Sequence, residues 1–246
     1  MNGDWKPLLM SAALAAIVSA GGVFAALHWS GASAESDSRI HAYLLEHPEI
    51  MIEMQSALQR QADARAEREQ QEALDKVGIK ALFDPRVAFV TGPANARKSV
   101  VEFFDYNCGH CRNSFPAVKK FYQAHKADTR FAFIELPIFG QASVDAARSS
   151  LASRNQADKF VAFHFALMGQ QGAIDPSNTV EAAKAAGLNV NKLMADLKDP
   201  AINSDLVAAR ALAERIKLNG TPLFVVNGKV HSGEITLAEL EQLTRS

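Results

Sequence analysis

The spacing of apolar positions changes several times along the chain, and each change predicts an element. Leu8–Leu27 carries no charged residue, and about 20 apolar residues at ~1.5 Å each reach across a hydrocarbon core of ~30 Å. Gly31–Ser38 is small and polar, as a linker would be. Ile40, Tyr43, Leu44, Met51, Met54 and Leu58 then recur near the helical period. The break at His47-Pro48 places Pro48 at the first position of a new helix, with Glu49 and Glu53 near its positive end. From Gln59 to Lys76 the sequence is almost wholly polar yet rich in helix formers. A helix polar on every side bridges solvent, so 31–81 is expected to be a linker and a helical stalk. The apolar stripe across 38–58 is expected either to dock on the same chain or to join copies of it as a homo-oligomer.

Beyond Leu82 the pattern becomes that of an α/β domain, expected over 82–246. Val87–Val90 reads as a short strand, and Ser99–Tyr106 as a strand apolar on both faces, which suits the middle of a covered sheet. Phe115, Val118, Phe121 and Tyr122 follow at helical spacing, then a strand at Phe131–Ile134. This strand–helix–strand order predicts a parallel pair. From about 141 to 218 the chain is Ala-rich and helical, with Asp175-Pro176 as a cap and first-position proline. A strand returns at Pro222–Val226, Asn227-Gly228 signals a hairpin, and Thr236 with Glu239 forms a capping box for a last helix. The sheet is therefore expected in two parts separated by an all-helical insertion.

Charge removes some functions and cysteine count removes others. Lys+Arg 26 against Asp+Glu 27 gives a net charge of -1, which offers nucleic acid no electrostatic footprint. Two cysteines exclude a disulfide framework and a four-thiolate zinc site. Residues 1–30 are expected to be an uncleaved membrane anchor, with His28 and Trp29 at the interface; a cleaved secretory signal is the alternative, since Val18-Ser19-Ala20 and Ala32-Ser33-Ala34 are small-x-small sites. Either reading carries the rest of the chain across a membrane.

The two cysteines are Cys108 and Cys111, in a C-x-x-C turn between a strand and a helix. Arg112 stands where haem attachment would need His, and a structural disulfide closing so small a loop removes little unfolded-state entropy. Redox exchange remains. Free N–H groups and the dipole at a helix start stabilise a thiolate, and His110 would add to that. Cys108, at the exposed start, is expected to be the nucleophile, and Cys111, deeper in the turn, to resolve the mixed disulfide. Elsewhere plainer roles are expected: a core position for His164, core packing for Phe139 and Met168, a turn cap for Asp105.

Glu102-Phe103-Phe104-Asp105-Tyr106-Asn107-Cys108-Gly109-His110-Cys111 resembles the active-site segment of the DsbA-like thioredoxin-fold oxidoreductases. Thr221-Pro222 and the strand after it resemble that family's cis-proline segment, and Tyr43–Glu49 is similar to Com1-like and copper-sensitivity-suppressor members. The resemblance implies a thioredoxin fold with a helical insertion. It also implies a redox disulfide Cys108–Cys111, a cis Pro222 facing it, substrate contacts from Thr221 and Gly109, and Glu102 as a buried acid beneath the cysteines. Statistics alone would favour trans, since cis is found in ~5–6% of X–Pro bonds. The implied protein is an envelope thiol:disulfide oxidoreductase or isomerase without cofactor or metal, anchored in the inner membrane of a bacterium with its catalytic domain in the periplasm. Its partners would be exported cysteine-containing proteins and a membrane redox partner that recycles the pair. A tethered copper(I)-binding or copper-tolerance module using the same thiols is the alternative.

Overall fold

The computed structural model describes residues 36–245, so the expected anchor or signal at 1–30 lies outside the described residues. Residues 36–62 and 63–245 form two units. In the first, helix α1 covers 36–46, beginning inside the stretch expected as a linker, and helix α2 (Glu49–Val77) starts after Pro48. The break is local chemistry: Tyr43 O accepts from His47 N, the His47 ring sits 3.0 Å from the Glu49 carboxylate, and His47 O accepts from Ile50 N. Within this unit Ile40, Tyr43, Leu45, Met51, Ile52, Met54 and Leu58 are all exposed. Among the described residues no helix is long and apolar enough to cross a membrane.

The second unit is built on a mixed five-stranded sheet in the order β1-β3-β2-β4-β5. The strands are β1 (Phe89–Thr91), β2 (Lys98–Phe104), β3 (Thr129–Glu135), β4 (Leu223–Val226) and β5 (Lys229–Ser232). The expected parallel pair is β2 with β3; every other pairing is antiparallel. Asn227 and Gly228, with φ 50 and 83, make the β4–β5 turn, whose twist demands left-handed residues. Gly92 (φ +87) is needed where the chain leaves β1, because a Cβ there would lie 2.1 Å from Thr129 O. Val87 and Ala88, expected in a strand, are buried but precede β1, and β2 ends at Phe104, before Tyr106.

Helix α3 (Gly109–His125) joins β2 to β3. Between β3 and β4 lie α4 (Gln141–Ser153), α5 (Ala157–Met168), α6 (Pro176–Ala185), α7 (Val190–Asp196) and α8 (Ala201–Arg215); α9 (Leu237–Arg245) closes the chain. Both expected caps form: Asp175 accepts from Ser177 N and Asn178 N, and Thr236 exchanges hydrogen bonds with Glu239. One sheet face carries Val100, Phe104, Phe131, Phe133 and Phe224 against α3, α5 and α9. The other carries Val101, Phe103, Ile134, Leu223 and Val225 against Leu74, Leu82 and α8.

The expectation of a wholly solvated stalk is corrected at the end of α2. There Gln70, Ala73 and Leu74 are buried. Glu67 accepts from Ser232 N, Gln71 accepts from Val230 N and donates to Gly228 O, and Gln70 accepts from Ser232 Oγ. A polar helix face is buried here by hydrogen bonding to a strand backbone, which satisfies its amides as water would.

Candidate active site

After Phe104 the chain leaves the sheet, and Asp105 organises the turn. Its Oδ1 accepts from Asn107 N (2.7 Å), and its backbone O accepts from Cys108 N (3.1 Å). Its Oδ2 accepts from Ile138 N (2.7 Å) and Phe139 N (3.1 Å), so the carboxylate does more than cap a turn. Cys108 is the N-cap of α3, with extended φ and ψ. Both cysteines are free thiols, and Cys108 Sγ lies 3.2 Å from Thr221 O, to which the thiol donates. The Thr221-Pro222 bond is cis.

The two sulfurs are made unequal by this placement. A hydrogen bond from Cys111 pulls the Cys108 thiol down from its ordinary value to about 5, against its burial; Thr221 and the backbone N–H groups of Cys111 and His110 contribute further. These N–H groups are the orphan donors of a helix start. A thiol of ordinary pKa is a thiolate to only about a few per cent at neutral pH, whereas one near 5 is ionised almost completely. Cys111 moves the other way: its bond to the Cys108 sulfur and its burial both push its pKa up.

Glu102 stands in β2, opposite Phe133 and Phe224 in the register, and is buried, as its apolar neighbours lead one to expect. Its Oε2 has no hydrogen-bond partner. Burial, with the nearby Cys108 charge, raises its carboxyl from 4.5 to about 8, and Glu102 in turn helps to raise Cys111. His110 is exposed, and its Nδ1 lies 2.6 Å from Glu234 Oε1, which also accepts from Asn113 Nδ2 (2.7 Å). The Glu234 contact raises the His110 pKa. Gly109 has open space where a Cβ would stand.

Sequence reasoning did not find the polar stitches that join this turn to the helical insertion. Asn107 Oδ1 accepts from Ile174 N (2.7 Å), and Arg112 donates to Tyr106 O and Gly172 O. Below them runs a buried chain. Ser150 Oγ donates to Glu135 (2.7 Å) and accepts from Tyr106 Oη (2.9 Å), so His164 Nδ1, 3.0 Å from that hydroxyl, carries its proton. Burial holds His164 neutral, down to about 3; Glu135 pairs with Arg154. Met168 is in the core as expected, but Phe139 is 55% exposed, which corrects its expected core packing. An apolar groove of about 410 Å³ within the insertion, lined by Ala146, Ile174, Val180, Leu193, Met194 and Leu197 among others, contains none of the thiol-site residues.

The pattern of residues 99–244 matches the family model of the DSBA-like thioredoxin domain, more than half of the chain. The chain belongs to this family. Residues 37–65 match a second model, the copper resistance protein ScsC N-terminal domain. Among solved structures, this DSBA-like chain is similar to a thioredoxin-like oxidoreductase from Silicibacter pomeroyi DSS-3, with 36% identity and TM-score 0.62 over 68% of this chain and 96% of that one. It is similar to BcfH of Salmonella enterica Typhimurium, with 26% identity and TM-score 0.63 over 95% and 98% of the two chains. Proteus mirabilis ScsC in a transitional conformation shares the fold at 24% identity and TM-score 0.62, over 87% and 93%. Among curated proteins it resembles part of the Na(+)/H(+) antiporter NhaA 3 of Salinispora tropica, 25% identical over 69% of this chain; the DSBA-like chain spans 26% of that protein's length.

Proposed function

We propose that the chain is an envelope thiol:disulfide oxidoreductase that forms or isomerises disulfides in exported proteins through Cys108 and Cys111. The observation that carries this reading is the inequality of the two sulfurs: one stabilised as a thiolate at a helix start beside Thr221-Pro222, the other kept protonated beneath it. In the oxidised state a substrate thiolate attacks Cys108 Sγ. The Cys108–Cys111 bond breaks, its electron pair goes to the Cys111 sulfur, and that sulfur takes a proton, for which the neutral Glu102 carboxyl is a nearby donor. A second substrate thiolate then attacks the substrate sulfur of the mixed disulfide and releases Cys108 as a thiolate. A low-pKa leaving group departs faster, and a stabilised reduced form makes the pair a stronger oxidant. Thr221 O, opposite Cys108, and the open space at Gly109 leave room for an extended substrate strand, whose cysteine meets Pro222. The exposed Phe139, tied to the site through Asp105, offers that strand an apolar contact.

An envelope compartment is supported by the membrane segment expected at 1–30 and by similarity to a protein described as a periplasmic thioredoxin-like protein from Salmonella enterica serovar Typhimurium. The partners are exported cysteine-containing proteins and a membrane redox protein that recycles the pair. The exposed apolar residues of 38–58 are proposed to join copies of the chain, because leaving that stripe in water forfeits burial worth about 25 cal/mol per Å². The ion transport in the antiporters' names is not carried over. For copper(I), the turn offers two soft thiolates, but among the described residues no set of three His, Cys, Asp or Glu side chains is gathered for a metal.

The test is trapping. Cys111→Ala should accumulate mixed disulfides with exported proteins, while Cys108→Ala should accumulate none and lose exchange. Full exchange by Cys108→Ala would overturn the reading, and tight Cu(I) binding by an exchange-inert reduced chain would replace it with the copper alternative. Alkylation of the pair inside cells gives direction: mostly oxidised means an oxidase, mostly reduced an isomerase or reductase.

A further inference from the structure

The four-residue loop between β5 and α9, Gly233 to Thr236, touches both halves of the thiol site. Gly233 N donates to Pro222 O (3.0 Å), next to Thr221, whose O accepts from Cys108. Ile235 N donates to Ser114 Oγ (3.1 Å), and that hydroxyl donates to His110 O (3.1 Å), in the first turn of α3. Between them Glu234 accepts from His110 Nδ1 and Asn113 Nδ2 on one oxygen, while its own backbone O lies 2.9 Å from His231 Nε2. A carboxylate only accepts, so His110 Nδ1 carries a proton and the ring's orientation is set from outside its own helix.

The geometry points to Glu234 as a positioning residue for thiol–disulfide exchange: by accepting from Nδ1 across the site it fixes the His110 imidazole at the start of the helix that carries Cys108, and its charge favours the protonated ring over the neutral one. The inference rests on the exchange chemistry proposed above. When the mixed disulfide is resolved, the bond between Cys108 and the substrate sulfur breaks and its electron pair leaves on Cys108. No proton need reach that sulfur if a cation beside it balances the charge, and no outside oxidant enters the step. Among the described residues, the charged groups that act on His110 are Glu234 and Cys108, the latter at the helix start. Arg112 is turned away to Tyr106 O and Gly172 O, and His231 sits behind the Glu234 backbone. Neither Glu102 nor Arg112 is touched by a substitution at 234.

The test uses the full chain and equilibration with reduced and oxidised glutathione at pH 7.5 and 5.5. Glu234→Gln keeps an acceptor oxygen but removes the charge. At pH 7.5 it should make the Cys108–Cys111 disulfide about two- to fivefold harder to reduce than in the unsubstituted chain, the size expected of one exposed charge pair. At pH 5.5, where the imidazole is protonated in both proteins, the difference should vanish. In a His110→Ala background, Glu234→Gln should change nothing at either pH. An equal shift at both pH values, no shift, or a shift that persists without His110 would overturn the proposal. If the unsubstituted chain itself fails to exchange with glutathione, the exchange reading falls; if it exchanges and Glu234→Gln behaves identically, only the role of Glu234 falls.

Discussion

The two faces of β2 are equally dry and chemically opposite. Val101 and Phe103 point into an aliphatic layer with Leu82, Ile134, Leu223 and the end of α8. Val100 and Phe104 point the other way, and by alternation Glu102 goes with them, toward both cysteines. Glu135 of β3, two residues beyond Phe133, falls on this same face and anchors the Ser150–Tyr106–His164 chain. Polar groups in a low-dielectric layer are costly unless partnered, and their interactions are stronger there. One face therefore contributes stability alone, while the other spends part of its stability on ionisable groups that shift the thiols apart.

This comparison can be broken at several points. Cys108→Ala should have the largest effect, reducing exchange to the uncatalysed background; a catalytic rate retained in an insulin-reduction or thiol-oxidation assay would remove chemistry from that face. Phe103→Ala, on the plain face, should cost about 3–5 kcal/mol in denaturant unfolding yet leave the Cys108 thiolate midpoint, read by ultraviolet absorbance, near 5. A large shift of that midpoint would mean that the two faces are not independent. Glu102→Gln tests the cost of the buried acid. Its carboxyl ionises near 4.5 unfolded and about 8 folded, so the native state holds the extra proton between these values and stability falls as pH rises across them. The reduced Gln variant should lack that fall, and its advantage should grow from pH 4.5 to 8, reaching the order of a few kcal/mol. A gap constant with pH would show that Glu102 is ionised in the fold. Phe139→Ser should do least: unfolding free energy within about 0.5 kcal/mol of the parent, and KM for a cysteine peptide raised a fewfold.

What could be read from the sequence was what is locally encoded. Asn227-Gly228, the Asp175 and Thr236 caps, the both-face apolar pattern of β2 and the C-x-x-C turn each depend on neighbours within a few residues, and each appears in the structure. The misses share one cause. Glu67, Gln70 and Gln71 bury themselves by bonding to backbone more than 140 residues away, and no hydrophobic period registers that. Glu234 meets His110 across 124 residues from a loop without a motif. Phe139 lies in the run Leu136-Pro137-Ile138-Phe139, which reads as core, whereas Asp105 holds that backbone at the surface. The resemblance implies Cys108, Cys111, Thr221, Pro222 and Glu102 as site residues; the structure adds that Cys108 donates to Thr221 O beside a cis Thr221-Pro222 bond and that Glu102 is buried.

The docking of α2 on β5 has a consequence for the company this protein is proposed to keep. β5 is an outermost strand of the sheet, and its outward N–H groups at Val230 and Ser232 are already taken by Gln71 and Glu67. An open strand edge is a template on which a foreign extended chain can add itself, and growth from such edges leads to aggregates. At the opposite margin β1 is only three residues long. A catalyst of unfolded, cysteine-bearing chains meets extended backbone continually; with one margin occupied by side chains and the other too short to hold a strand, those chains are left the thiol site as a place to pair and little else.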